Sequence, residues 1–65
     1  MSTTITVTGM TCEHCEGRVE DALAGVTGVT EAKADREADT ATVEGDADVD
    51  TLVAAVEEVG YDASA

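Results

Sequence analysis

The apolar residues switch between two spacings along these 65 residues, and that succession restricts the fold more than any other feature of the sequence. Thr3 to Thr8 alternates small polar and branched apolar residues, which puts Ile5 and Val7 on one face of a half-buried strand. Gly9 breaks the pattern. From Glu13 onward the spacing is helical, with Val19, Ala22, Leu23 and Val26 at i, i+3, i+4 and i+7, and Gly25 and Gly28 close the segment. Val29 to Asp35 alternates again. Ala32 and Ala34 keep phase there and Val29 does not, while Glu31, Lys33 and Asp35 face water. Arg36 to Asp39 reads as a turn, and Thr40 to Glu44 as a strand with Ala41 and Val43 inward. Asp46 to Asp48 is a linker whose last residue suits a helix N-cap. Val49, Leu52, Val53 and Val56 then mark a second amphipathic helix. Gly60 stands where a left-handed C-cap belongs, and Tyr61-Asp62-Ala63 forms a short last strand.

The order is therefore βαββαβ. Every strand has one apolar face and each helix one apolar stripe. A four-stranded antiparallel sheet with both helices on one face, the ferredoxin-like α+β arrangement, buries all of them together. Residues 1–65 read as a single domain. A chain of this size buries only about 60% of its unfolded surface, so its stability is expected to be marginal. The apolar residues are mostly Val and Ala, with Tyr61 the one aromatic residue, and a bound metal would add stability to so thin a core.

Three basic residues stand against fifteen acidic ones, for a formal net charge of −12. That balance argues against nucleic acid, because few cations are present to replace the counterions around phosphates. It argues equally against an anionic membrane surface. The acids are spread along the chain, as on the surface of a protein from a high-salt cytoplasm, where salt screens self-repulsion. No apolar run is long enough to span a bilayer. The first residues lack the basic start and apolar stretch of a signal peptide. A cytoplasmic location follows as the expectation, and with it reduced thiols.

Both cysteines fall in one stretch, Gly9-Met10-Thr11-Cys12-Glu13-His14-Cys15. Cys12 is expected in the loop after the first strand and Cys15 in the first turn of the first helix. The positive end of the helix dipole stabilises a thiolate there, and a lowered thiol pKa makes a better metal ligand. Soft thiolates prefer soft ions such as Cu(I), and a pair can hold a two-coordinate ion alone. Other chemistries begin from the same spacing. A structural zinc site needs four ligands, and beyond Cys12, Cys15 and His14 only scattered carboxylates are on offer. A dithiol redox couple shares the strand–CxxC–helix start, but the thioredoxin-like fold is longer and sets a cis-proline beside the pair, and this chain has no proline. Two small core residues are a third reading, for which a glycine-flanked loop is a poor place.

The stretch from Gly9 to Cys15, Val19-Glu20-Asp21-Ala22-Leu23, Gly28-Val29 and Gly60-Tyr61 together resemble the heavy-metal-associated domain family, over nearly the whole chain from about Thr3 to Ala63. Within the family the chain is most similar to free-standing bacterial-type copper chaperones. Related domains lead copper-exporting P-type ATPases and occur in mercury-resistance proteins. The resemblance implies a cytosolic metallochaperone, not an enzyme, that binds Cu(I) through Cys12 and Cys15 and passes it to a similar domain of a copper-transporting ATPase by ligand exchange. A mercury- or zinc-handling carrier of the same fold and a small dithiol redox protein are the alternatives. It further implies that Met10 packs under the loop and that Thr11 matches the copper-type motif. Tyr61 falls where bacterial copper chaperones carry a tyrosine near the metal loop, where it either packs alone or tunes the site. His14, between the two thiols, is expected to point to solvent. Arg18 either offsets the charge of a bis-thiolate centre or pairs with Asp21 or Glu20, and docking is expected to rely on Arg18, Lys33 or apolar contacts of the loop. A monomer is expected, with a metal-bridged dimer feasible at high loading. The chain departs from the family in its light core at Ala32, Ala34 and Ala41, and in Asp39 at a turn position where glycine is frequent.

Overall fold

Each stretch of two-residue spacing forms a strand and each stretch of helical spacing a helix in the computed structural model, which describes residues 2–65. The elements run β1 (Ser2–Thr8), α1 (Glu13–Ala24), β2 (Val29–Asp35), β3 (Thr40–Gly45), α2 (Val49–Glu58) and β4 (Asp62–Ser64). The strands form one sheet in the order β2-β3-β1-β4, antiparallel throughout. The expected ferredoxin-like arrangement is therefore present. β2 and β4 are its edges, and β1, which leads into the cysteine loop, lies inside.

The core is the set that the two spacings point to. Ile5 and Val7 from β1, Val19 and Leu23 from α1, Ala41 and Val43 from β3, and Leu52 and Val56 from α2 are all at most 2% exposed. Each such Val, Leu or Ile stabilises the fold by about 1.5–3 kcal/mol relative to an exposed position. Ordering the chain costs nearly as much in total. Among the described residues no polar or charged side chain is buried, and no helix is long and apolar enough to cross a membrane.

Val29 owes its broken phase to a bulge. It pairs with Gly45 while Glu31 pairs with Glu44, so Thr30 is the extra residue. A bulge of this kind turns a strand by one position, and both Val29 and Ala32 thereby pack on the core. Gly28 and Gly45 make it possible. A Cβ on Gly28 would stand 2.2 Å from the Asp46 carbonyl oxygen, and one on Gly45 would stand 2.2 Å from that of Gly28. Asp39 adopts φ 55°, the left-handed conformation that aspartate tolerates, and its carbonyl accepts the Val7 amide at 2.9 Å.

Both ends of α2 fall where the sequence places them, with differences in the Asp48 side chain and the start of β4. Asp48 is the N-cap residue, yet its side chain makes no capping hydrogen bond. At the other end Gly60 has φ 96°. Its amide donates to the Glu57 carbonyl at 3.0 Å, and the Tyr61 amide to that of Val56 at 3.4 Å. Those two bonds make a Schellman closure, so Tyr61 belongs to the end of the helix, and β4 begins one residue later than its sequence suggests. α1 likewise stops at Ala24, leaving Val26 past its end but still packed on the core.

Candidate metal centre

The loop from Gly9 to Cys12 carries the chain from the end of β1 to the start of α1. Gly9 turns it with φ 98°. Met10 is 6% exposed and packs into the core, so its side chain anchors the loop from beneath while the next residues stay outside. Cys12 is the N-cap of α1 and is extended, with φ −157° and ψ 174°; its side chain makes no capping bond. Its carbonyl instead accepts the amides of Cys15 at 3.0 Å and Glu16 at 3.2 Å, which starts the helix. This turn brings the two sulfurs together. Both cysteines are free, with the Cys12 thiol donating to the Cys15 sulfur at 3.8 Å.

A disulfide would need about 2.05 Å. A metal–thiolate bond is about 2.3 Å long for zinc, so two of them span at most about 4.6 Å, and sulfurs at the observed separation are close enough to meet on one ion. Cys12 is exposed and Cys15 half-buried, which leaves the pair reachable by an incoming ligand. Among the described residues no set of three His, Cys, Asp or Glu side chains is grouped as a metal site. His14 is exposed and is not drawn into the pair.

The Cys15 thiol is lowered from the ordinary 9.0 to about 6, chiefly by the Tyr61 phenol, then by the Thr11 backbone and hydroxyl, with Cys12 adding a little and burial opposing. The Thr11 hydroxyl lies 3.7 Å from the Cys15 sulfur. The converse holds for Tyr61, whose phenol is pushed up by Cys15, while Arg18 pulls it down. Tyr61 thus packs on the core and lowers the Cys15 pKa.

Arg18 is exposed and does not pair with Asp21 or Glu20. The one ion pair among the described residues joins Arg36 to Glu16 at 3.1 Å, and Glu20 is engaged with the Ala34 amide at 2.9 Å. Arg36, Glu16 and Glu20 were invisible as a group in the sequence. The carboxylates are a helical turn apart, but their partners lie 20 and 14 residues away, beyond the reach of any local pattern.

The heavy-metal-associated domain family matches residues 4–62. The chain is 41% identical over 61 residues to the copper chaperone CopZ of Staphylococcus haemolyticus, an alignment covering 89% of this chain and 90% of that one. It is also 41% identical over 63 residues to copper-transporting ATPase 2 of Rhizobium meliloti, covering 94% of this chain but only 8% of that much longer protein. Among solved structures a CopZ metallochaperone superposes with a TM-score of 0.93 at 34% identity, covering 98% of this chain and all of the other.

Proposed function

The chain belongs to the heavy-metal-associated domain family, and from that premise we propose that it is a Cu(I) metallochaperone of the cytoplasm, with Cys12 and Cys15 as the two ligands of its cargo. One observation carries the reading: two sulfurs 3.8 Å apart at a helix N-terminus, with no third donor grouped beside them among the described residues. Such a set suits a soft, two-coordinate ion better than four-coordinate zinc. The likeness to copper chaperones supports the same choice.

Loading replaces any thiol proton by the ion. Because the Cys15 thiol is lowered to about 6, it is already largely thiolate near neutral pH and loses little to proton competition. Two-coordination leaves the ion open. An incoming thiolate from a partner forms a third copper–sulfur bond, and one of the original bonds then breaks. The freed thiolate takes up a proton or receives the next ion. Copper keeps its oxidation state throughout, and no covalent bond of a substrate is made or broken, so the protein is a carrier rather than an enzyme. The partner is the related domain of a copper-transporting P-type ATPase, in keeping with the similarity to such a protein. Residues 1–65 act as a single monomeric domain carrying one ion. Met10 supports the loop, Thr11 and Tyr61 tune Cys15, and His14 plays no part in ligation.

Anaerobic Cu(I) titration against a competing chelator, with native mass measurement, tests this. The expectation is one ion per chain, preferred over Zn(II). Cys15→Ser should weaken binding by at least about a hundredfold, and His14→Ala by no more than about threefold. Retention of Cu(I) affinity within about tenfold by Cys15→Ser would refute the two-thiolate site. A preference for Hg(II) that survives competing thiols at cellular levels of copper would favour the mercury carrier instead.

A further inference from the structure

We propose that Glu16 and Arg36 position Cys15, by clamping the first turn of α1 to the end of β2 and so fixing the separation of the two thiols. The inference rests on the reading of Cys12 and Cys15 as the ligand pair.

That first turn is poorly secured from within. Its N-cap, Cys12, offers no side-chain bond to the free amides. Gly17 follows in the next turn, and only proline is a weaker helix former. The attachment comes from outside the helix. Glu16, the neighbour of Cys15, accepts the Arg36 amide at 2.7 Å through Oε2 and the Arg36 guanidinium at 3.1 Å through Oε1. One turn on, Glu20 Oε2 accepts the Ala34 amide at 2.9 Å.

The two attachments match in spacing. Four residues of helix rise about 6 Å, and two residues of strand span about 6.7 Å. Two carboxylates at i and i+4 on α1 therefore meet two amides at i and i+2, those of Ala34 near the end of edge strand β2 and of Arg36 just past it, running in opposite directions. A two-point attachment stops α1 from both sliding and rotating against the sheet. Of the two points, Glu16 is the one that holds the turn carrying Cys15. The Cys15 and Glu16 amides share the Cys12 carbonyl, so displacement of Glu16 changes how Cys15 sits relative to Cys12. Holding donors ready in the bound arrangement reduces the ordering cost of capture and slows release.

The test uses Glu16→Ala, which removes both bonds, and Arg36→Gln, which removes only the guanidinium contact. Amide hydrogen exchange is measured on the apo proteins and Cu(I) release to a chelator on the loaded ones. Glu16→Ala should speed exchange at Cys15 and Glu16 by about tenfold, while Leu23 changes less than about twofold. Cu(I) release should quicken about three- to tenfold, with Arg36→Gln intermediate. Exchange rising equally along α1, or release within about twofold of the parent in a folded variant, overturns the proposal. Should Glu16→Ala not fold, Arg36→Gln decides alone by the same two criteria. If the parent chain itself takes up no Cu(I), the ligand reading fails, and the exchange pattern still decides whether the clamp exists.

Discussion

The ring of Tyr61 covers Gly9: a Cβ built at Gly9 would stand 3.6 Å from the ring atom Cδ1. The end of α2 is thereby seated on the start of the cysteine loop. The Schellman closure at Gly60 turns Tyr61 back toward the core, and its phenol reaches the neighbourhood of Cys15. A residue at a helix end more than 40 residues downstream in the chain so helps lower the pKa of a thiol.

Tyr61→Phe should raise the Cys15 pKa above its value of about 6, toward the ordinary 9.0, because the phenol is the largest of the lowering influences. The ultraviolet absorbance of the thiolate, followed against pH in the reduced protein, reads this directly. A midpoint unmoved by the substitution would transfer the effect to Thr11.

The same lowering has a consequence for stability. The Cys15 thiolate is favoured by the folded state, so its contribution is complete above the unfolded value near 9.0, declines as pH falls, and is gone below about 6. The melting temperature of the reduced parent should gain on that of Cys15→Ser as pH rises through this window. A difference independent of pH would contradict the assignment.

Two glycines should respond in opposite directions to alanine. Gly17 is inside α1 with open space where a Cβ would go, and Gly17→Ala should stabilise by about 0.5–1 kcal/mol. Gly28 has φ 97° and its Cβ would meet the Asp46 carbonyl oxygen at 2.2 Å. Gly28→Ala should therefore destabilise by at least about 2 kcal/mol. Thermal denaturation separates the two, since about 1 kcal/mol moves the midpoint of so small a domain by about 4–8 °C.

Leu52, with no exposed surface, is one of the largest side chains of a core built mainly from Val and Ala. Leu52→Ala should cost about 2–5 kcal/mol and leave much of the apo protein unfolded by circular dichroism. Saturating Cu(I) should restore part of the signal, because an ion that binds only the folded chain stabilises it.

Salt should stabilise the fold. With a net charge of −12 and a single ion pair among the described residues, added ions have many repulsions to screen and few attractions. The melting temperature is expected to climb steadily from dilute buffer to molar KCl. A flat or falling profile would remove the case for a surface suited to high salt.

By itself the sequence determined the element order, the core and the place of the thiol pair. These depend on periodicities a few residues long and on backbone chemistry at Gly9, Asp39 and Gly60, all of which act locally. The ferredoxin-like sheet followed because few arrangements bury those faces together. Tyr61 closes α2 through a local bond to Val56, and only the tertiary structure decided that its ring seats on Gly9. It also decided that Val29 turns inward through a bulge at Thr30, that Arg18 is left without a carboxylate partner, and that Glu16 and Glu20 fasten α1 to β2. Each of these depends on a distance between residues far apart in the chain. Such distances are set by how the layers pack, and no local pattern encodes them.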